Sequence, residues 1–339
     1  MAVIDSVKLP DNSTYDVADN YSGYQKATLT TPLTINGTQE TTVEGALGGL
    51  NDYADALKTA ISNENLVDNP FFTVNQRGTS GSYQEGRIAD RWYAYGFSAS
   101  NITSSITNNG VVIQSDGTHG WRVLQNIKNY KDLSGRKVTY SINVKSISSG
   151  SIRLFYAPSL NGINEDWVYL VDASTTGITS VTFTLPDLSS ASGLCLMFQS
   201  DTPIDATIRA VKLEVGTVST LANDVEPDYT TELLKCQWEY YRISLDSASA
   251  FVTVGFMADS TTFYGVINLP TPLKSAPTST YSGVIQIFTV GGTENVTSLT
   301  TIMRSPQTIT VTATIANALT VNSPAILMGG PSSYIDFSA

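Results

Sequence analysis

The sequence predicts a mainly β protein: an N-terminal arm and a short coiled-coil helix, followed by two β-sandwich modules. Three observations lead there. The chain is rich in Thr, Ser, Val and Tyr, with 41% hydrophobic and only 14% charged residues, a bias towards β-branched and aromatic types that favours sheet. Short runs alternate apolar and polar residues between turns of Ser, Gly and Asn, the period of half-buried strands. At 339 residues the chain exceeds one typical domain and suits two β domains plus an attachment region.

Residues 1–40 are polar, with turn clusters at Pro10-Asp11-Asn12 and Asn36-Gly37 between short alternating runs. They read as an irregular arm with a few strands that gains order by docking onto something else. Residues 41–64 change character. Val43, Leu47, Leu50, Ala54, Leu57 and Ile61 recur at alternating spacings of four and three, which makes a coiled-coil seam with Val43, Leu50 and Leu57 at d and Leu47, Ala54 and Ile61 at a. Thr41 and Glu44 have the spacing of a capping box. Gly45, Gly48 and Gly49 each weaken the helix by about 1 kcal/mol against alanine, so the seam needs cover. That cover is either the same helix from sister copies or the chain's own β domain.

Residues 65–229 form the first β module. Alternation is clear in Lys137–Val144, Ser151–Tyr156, Val181–Leu185 and Thr207–Glu214. Many short strands without long helices between them mark an antiparallel sandwich. Trp92 and Trp121 are expected in its core. Residues 230–242 carry a short helical pattern through Leu233, Leu234, Trp238 and Tyr241 and read as a helical linker that acts as a hinge. Residues 243–339 form the second module. Its purest alternation, Thr308–Ile315, needs pairing on both sides to avoid an open edge, from intertwined copies or from a sheet within one subunit.

Charge and composition exclude several classes. There are 30 acidic against 19 basic residues and a net charge of -11, which repels phosphate backbones and anionic headgroups. Nucleic acid and membrane insertion are therefore not expected. No run of about 18 apolar residues exists, and the first residues lack the pattern of a signal peptide. The expectation is a protein made in a cytoplasm and carried outside by lysis or by assembly into a larger particle. Cys195 lies in the apolar run Leu194–Phe198 and reads as a buried thiol; a disulfide to Cys236 is the less favoured alternative, since secreted scaffolds carry more cysteines.

Catalytic chemistry finds little to rest on. The sole histidine, His119, lies in the turn Asp116–Gly120, so neither a triad nor a zinc cluster can be assembled around it. The glycines lie in β turns rather than before a helix. Glu165-Asp166 beside Trp167, and Glu85 with Asp90 before Trp92, are the carboxylate sets a glycosidase would need, and no repeat of roughly 20 to 50 residues marks a β-helix. The chain is read as no enzyme. Sugar binding is the better reading, because aromatic faces grip pyranose rings while amides and carboxylates hold hydroxyls. Trp167 and Tyr169, with Asn164 and Asp166 nearby, form the first candidate patch; Phe263 and Tyr264 before Gly265 are weaker.

Several segments carry a family resemblance. Asn65–Phe72 followed by Val74–Gly78 looks like the opening of a jelly-roll module common in tail proteins of phages and prophages. Ala89–Trp92, Leu133–Thr139, Lys212–Gly216 and Glu232–Tyr241 resemble its later landmarks in the same order, with Trp238 in place of the usual arginine. Val7–Asp16 looks like the head of minor tail proteins of phages from Gram-positive hosts. The resemblance implies a carbohydrate-binding-like jelly roll, a homotrimer and a place on the virion tail. The N-terminus would dock on other tail or baseplate proteins, and the β modules would bind host surface polysaccharide as a tail fibre or receptor-binding protein. The alternatives are a head or collar fibre without receptor, and a small capsule-degrading hydrolase. Jelly rolls of this kind often hold a structural calcium, for which Asn69 and Glu214 occupy matching places. Two positions fall short of the roughly six to eight oxygens calcium takes, so no metal or cofactor is expected.

Overall fold

A computed structural model describes residues 6–8, 14–16, 28–35, 38–42, 46–47, 49, 62–78, 81–83, 85–96, 101–162, 166–247 and 249–339. The chain forms two compact units, one of Met1–Asn63 with Ala222–Asp224 and one of Glu64–Leu221 with Val225–Ala339.

In the first unit, strands β1 (Ser6–Lys8) and β2 (Thr14–Asp16) pair antiparallel on either side of the Pro10-Asp11-Asn12 cluster. Strands β3 (Thr28–Ile35) and β4 (Thr38–Thr42) flank Asn36-Gly37, with Ile35 opposite Thr38. Asn-Gly is the strongest short hairpin signal. Thr41, expected as a helix cap, lies inside β4, whose pairing runs on to Thr42 opposite Thr28; β-branched threonines favour that extension. Ala46, Leu47 and Gly49 are helical, Ala46 buried and Leu47 exposed. The other seam positions, Val43, Leu50, Ala54, Leu57 and Ile61, lie outside the described residues.

The first module of the second unit is a sandwich of two six-stranded antiparallel sheets. Strands β6 (Glu85–Ala89), β7 (Trp92–Gly96), β10 (Trp121–Asn126), β12 (Ile152–Ala157), β13 (Val168–Ala173) and β15 (Cys195–Ser200) make the front sheet, in the order β13-β12-β15-β10-β7-β6. Strands β5 (Gly81–Tyr83), β8 (Ile102–Thr107), β9 (Gly110–Ser115), β11 (Lys137–Ile147), β14 (Gly177–Thr184) and β16 (Ala206–Val215) make the back sheet, in the order β14-β11-β16-β9-β8-β5. Alternation places Val138, Tyr140, Ile142 and Val144 of β11, and Leu196 and Phe198 of β15, in the core between them. Trp92 and Trp121 are fully buried there. Each indole N–H finds a carbonyl at 2.9 Å, Asn69 O for Trp92 and Ile204 O for Trp121, as a buried indole requires. Asn69 takes a left-handed backbone (φ 51°) that asparagine tolerates. Its side chain brackets the module's opening turn, donating to Val74 O and Asp90 O and accepting from Val74 N. Cys195 and Cys236 are both buried free thiols.

Helix α1 (Tyr229–Gln237) is capped by Asp228, whose carboxylate accepts from Thr231 N at 2.9 Å, and leads into strand β17 (Tyr240–Leu245). The segment expected as a linking hinge carries ties to both modules. β17 pairs with β25 (Ser333–Ser338), which also pairs with β20 (Thr278–Ser282). Arg91 of the sandwich ion-pairs with Asp68 at 2.9 Å and with Glu239 at 2.6 Å, and Lys274 reaches Glu239 at 2.8 Å. Buried charges are held only with such partners. A periodic pattern reports the helix but not its side-chain ties, which is why the sequence suggested freedom here.

The second module, expected as a sandwich, closes instead into a six-stranded barrel. Its strands are β18 (Ala250–Met257), β19 (Thr262–Asn268), β21 (Ile285–Thr289), β22 (Gly292–Ser305), β23 (Thr308–Ile315) and β24 (Pro324–Gly329), in the order β18-β19-β23-β22-β21-β24 and back to β18. The cause lies in β23. Ile309, Val311, Ala313 and Ile315 are buried and its threonines face out, and β19 and β22 pair with it on either side. Closure removes every edge that such a strand would otherwise expose. Among the described residues no helix is long and apolar enough to cross a membrane.

Candidate functional site

The front sheet of the sandwich has two faces with different content. Trp92, Ala94, Trp121, Val123, Leu154 and Phe198 point into the core, so the residues between them point outward on the same strands. Antiparallel partners share a face, and the register therefore sorts the outward side chains into rows running across the strands. One row is polar: Asp172, Arg153, Gln199, Arg122, Tyr95 and Glu85, each opposite the next. The adjacent row is aromatic and apolar: Tyr169, Phe155, Met197, Leu124 and Tyr93, ending in Arg87. A third, shorter row holds Ala157, Cys195 and Asn126. Six strands at the usual spacing make the face about 24 Å wide.

Leu124, Phe155, Ala157, Cys195 and Met197 form an apolar cluster of their own, separate from the core, with Tyr93, Tyr95 and Trp167 packed against it. The Tyr169 ring meets Phe155 edge-on at 5.6 Å, and Tyr93 lies 6.0 Å from Tyr95. Cations lie near the ring faces: Arg87 is 5.4 Å from Tyr93, Arg122 4.9 Å from Tyr95 and Arg153 5.9 Å from Phe155. Arg122 Nη1 also donates to Tyr95 Oη at 3.0 Å. Arg153 ion-pairs with Asp201, which accepts from Gln199 Nε2 at 2.7 Å. At this end Ser151, Arg153, Asp172, Asp201 and Thr202 line an open depression of about 310 Å³. Burial, then a hydrogen bond and the charge of Glu85, raise the Tyr93 phenol, which keeps it a neutral hydroxyl. Burial of Cys195 pushes its thiol up, so it is an apolar filler rather than a nucleophile.

Trp167 packs half-buried against this cluster, and Tyr169, half-exposed, meets its Phe155. Asp166, which precedes Trp167 in the chain, accepts from Ser159 Oγ at 2.7 Å; Asn164 lies outside the described residues. The neighbouring loop is tied to the third row where Asn161 N donates to Asn126 Oδ1 at 2.9 Å. Sequence reasoning missed Tyr93, Tyr95, Phe155, Arg122, Arg153 and Gln199. The signal for the first two was available: once Trp92 is placed in the core, alternation along Trp92-Tyr93-Ala94-Tyr95 turns both tyrosines outward.

Other candidates are accounted for elsewhere. Phe263 is fully buried in the barrel and cannot meet a ligand, while Tyr264 faces out. His119 is exposed in a turn that Asp116 organises by accepting from Thr118 N and His119 N. Asp90, one of the carboxylates considered for hydrolysis, is buried under Gln76 and Arg77, and Glu165 lies outside the described residues. Asn69 brackets a turn, and Glu214 accepts from Thr220 N at 2.8 Å with Lys212 Nζ at 3.9 Å. Among the described residues no three His, Cys, Asp or Glu gather where they could hold a metal.

No protein-family model matches the chain, and no curated protein sequence matches it. Among solved structures it is similar to the family 11 carbohydrate-binding module from Clostridium thermocellum in complex with a β-1,3-1,4-mixed-linked tetrasaccharide, at 12% identity over 42% of this chain and 99% of that one, with a TM-score of 0.27. TmCBM61 in complex with β-1,4-galactotriose is 11% identical over 45% of this chain and 99% of its own, with a TM-score of 0.29. The tandem CBM22-1-CBM22-2 domain of Paenibacillus barcinonensis Xyn10C is 8% identical over 82% and 97%, with a TM-score of 0.30. The β-sandwich itself is read from the strand pairing described above.

Proposed function

We propose that this chain is a non-enzymatic structural protein that binds glycan through the outward face of the front sheet. The observation that carries the reading is the pair of adjacent rows across one sheet, aromatic beside polar. Rings at both ends, Tyr169 resting edge-on against the buried Phe155 and Tyr93 beside Tyr95, offer platforms for the C–H faces of pyranose units. Arg153, Arg122, Asp172 and Glu85 offer donors and acceptors for hydroxyls along the same line, with the buried Gln199 holding Asp201. A face running across six strands suits a chain of sugars rather than a single residue.

The setting is a bacteriophage tail, by the resemblance of the opening, middle and closing segments of the sandwich to tail modules. In this reading the N-terminal arm docks on tail or baseplate proteins and the seam from Val43 to Ile61 joins three copies. The β modules then meet host surface polysaccharide. Three sites on one particle turn weak single contacts into useful retention through effective concentration.

One assay decides. Purified protein is incubated with host cell-wall and capsular polysaccharide, and retention and release of reducing ends are measured. Retention without release is the expected result. Release would make the protein a hydrolase, and neither would leave a scaffold without receptor. For the assembly, light scattering at micromolar concentration is expected to give a trimer, and Leu50→Ser with Leu57→Ser to weaken it.

A further inference from the structure

The barrel carries an outward surface that its own fold leaves uncovered. β18 turns Phe251, Val254 and Phe256 outward, β19 turns out Tyr264 and Val266, and β21 turns out Phe288. Between β18 and β21 runs β24, whose Pro324, Ile326 and Met328 face the same way. The register makes this one continuous patch. Phe288 is opposite Ile326 and Ile326 opposite Val254; Phe256 is opposite Tyr264, their rings 6.1 Å apart; Phe251 is opposite Met328.

Two properties say what covers it. The first is area. Phe251, Phe256, Tyr264 and Phe288 are 61%, 49%, 39% and 44% exposed; at about 200 Å² per ring they alone present about 400 Å². The valines and the β24 side chains extend this beyond the largest patch of an ordinary monomer, about 300–600 Å², and towards the roughly 800 Å² that one partner gives to a stable interface. The second is charge. From Ala250 to Ala339 the charged residues are Asp259, Lys274, Glu294, Arg304 and Asp336, and none lies in β18, β19, β21, β23 or β24. A chain with a net charge of -11 repels its own copies over most of its surface, and this face is where they meet without that penalty.

We infer that the β21-β24-β18-β19 face of the barrel is an interface between copies of this chain, a second contact in the assembly proposed above, which it deepens and on which it rests. Because the barrel is closed, the contact is face to face through side chains rather than by strand addition.

The test uses the full chain. Val254→Glu with Phe256→Glu places acids on the outward face while Thr253 and Met257 stay in the interior, and Val290→Lys at a nearly fully exposed turn position is the control. Circular dichroism and melting establish that each variant is folded, and light scattering across a dilution series gives the concentration at which copies separate. That concentration is expected to rise at least tenfold for the double variant and to stay put for the control; equal values for parent and double variant would overturn the interface. Val254→Cys supplies a second readout, since Cys195 and Cys236 are buried and the new thiol is the one a bis-maleimide linker reaches. Covalent dimers are expected. If Leu50→Ser with Leu57→Ser dissociates an assembly in which Val254→Cys gives no cross-link, the seam stands and the barrel contact falls. If the cross-link survives in that seam variant, the barrel contact stands without the seam. A monomeric parent with no cross-link, as when the patch serves a different protein, would also overturn the inference.

Discussion

Glu239 sits between the two β modules with Lys274 Nζ at 2.8 Å, Arg91 Nη1 at 2.6 Å and Arg87 Nη2 at 3.5 Å. Burial alone would raise its carboxyl; the charges of Arg91 and Arg87, with the hydrogen bond from Lys274, outweigh that and bring it down to about 2 from an ordinary 4.5. A carboxylate depressed on folding contributes stability that is complete above its unfolded value and is lost as pH falls through its folded one. Glu239→Gln is therefore expected to destabilise the protein by about 3 kcal/mol at neutral pH, as for one partner removed from a buried pair. The gap between parent and variant should close between pH 4.5 and 2; melting curves across that window check it, and a constant gap would show that the charge is not what matters. On the sheet face, Tyr169→Ala and Tyr93→Ala are each expected to weaken glycan retention about tenfold, the ~1.4 kcal/mol of a lost aromatic contact. Tyr169 is half-exposed, so its variant should keep its stability to within about 0.5 kcal/mol. Retention unchanged in both would move the binding surface elsewhere.

Within the barrel, β18 and β19 approach at Gly255 opposite Gly265, and Phe263 fills the space their missing side chains leave. A Cβ at Gly255 would lie 1.9 Å from Tyr264 O and 2.7 Å from the Phe263 ring, and a backbone oxygen between paired strands cannot step aside. Gly255→Ala is expected to destabilise the barrel by at least about 1–3 kcal/mol, the usual cost of overpacking, as a lower melting temperature; an unchanged one would mean the strands can spread. Such close approaches are not visible in the sequence, where Gly255 and Gly265 look like turn residues. Alternation did mark the strands themselves, as β11, β12, β16 and β23 show, because a half-buried strand writes its burial into every second residue. It reports which side is buried and not which strand is the partner, so the same pattern in Thr308–Ile315 served a sandwich and a barrel equally well. Of the face proposed to bind glycan, only part was visible in the sequence, for the same reason. Trp167 and Tyr169 stood out beside a polar loop, whereas Phe155, Arg122 and Gln199 belong to the face only through pairings between strands far apart in the chain.

At the scale of the sandwich and barrel together, the segment that joins them decides whether they move as one body. Trp238 has three cations around its ring, Lys128 at 4.6 Å, Arg91 at 5.6 Å and Lys274 at 5.8 Å. Lys128 also ion-pairs with Asp68 at 2.9 Å and donates to Lys235 O at 3.0 Å. On the other side Gln76 Nε2 donates to Tyr240 O at 3.0 Å and the Arg77 guanidinium stacks 3.3 Å from the Tyr240 ring. Arg242 holds Asp336 through two bonds of 2.7 Å and donates to Arg77 O. Cation–π contacts of about 0.5–2 kcal/mol and buried ion pairs thus come from both modules onto one stretch of chain. Residues 237–245, although rich in chymotryptic sites, are therefore expected to resist cleavage, and sandwich and barrel to melt in a single transition. Arg91→Ala removes the residue that joins Asp68 to Glu239. It is expected to split the melt in two and to raise the rate of cutting at Trp238, Tyr240 or Tyr241 at least tenfold, read by mass spectrometry of the fragments. Equal cutting rates in parent and variant, or two transitions already in the parent, would mean that the modules turn freely and that a glycan held by the sandwich exerts no pull on the barrel.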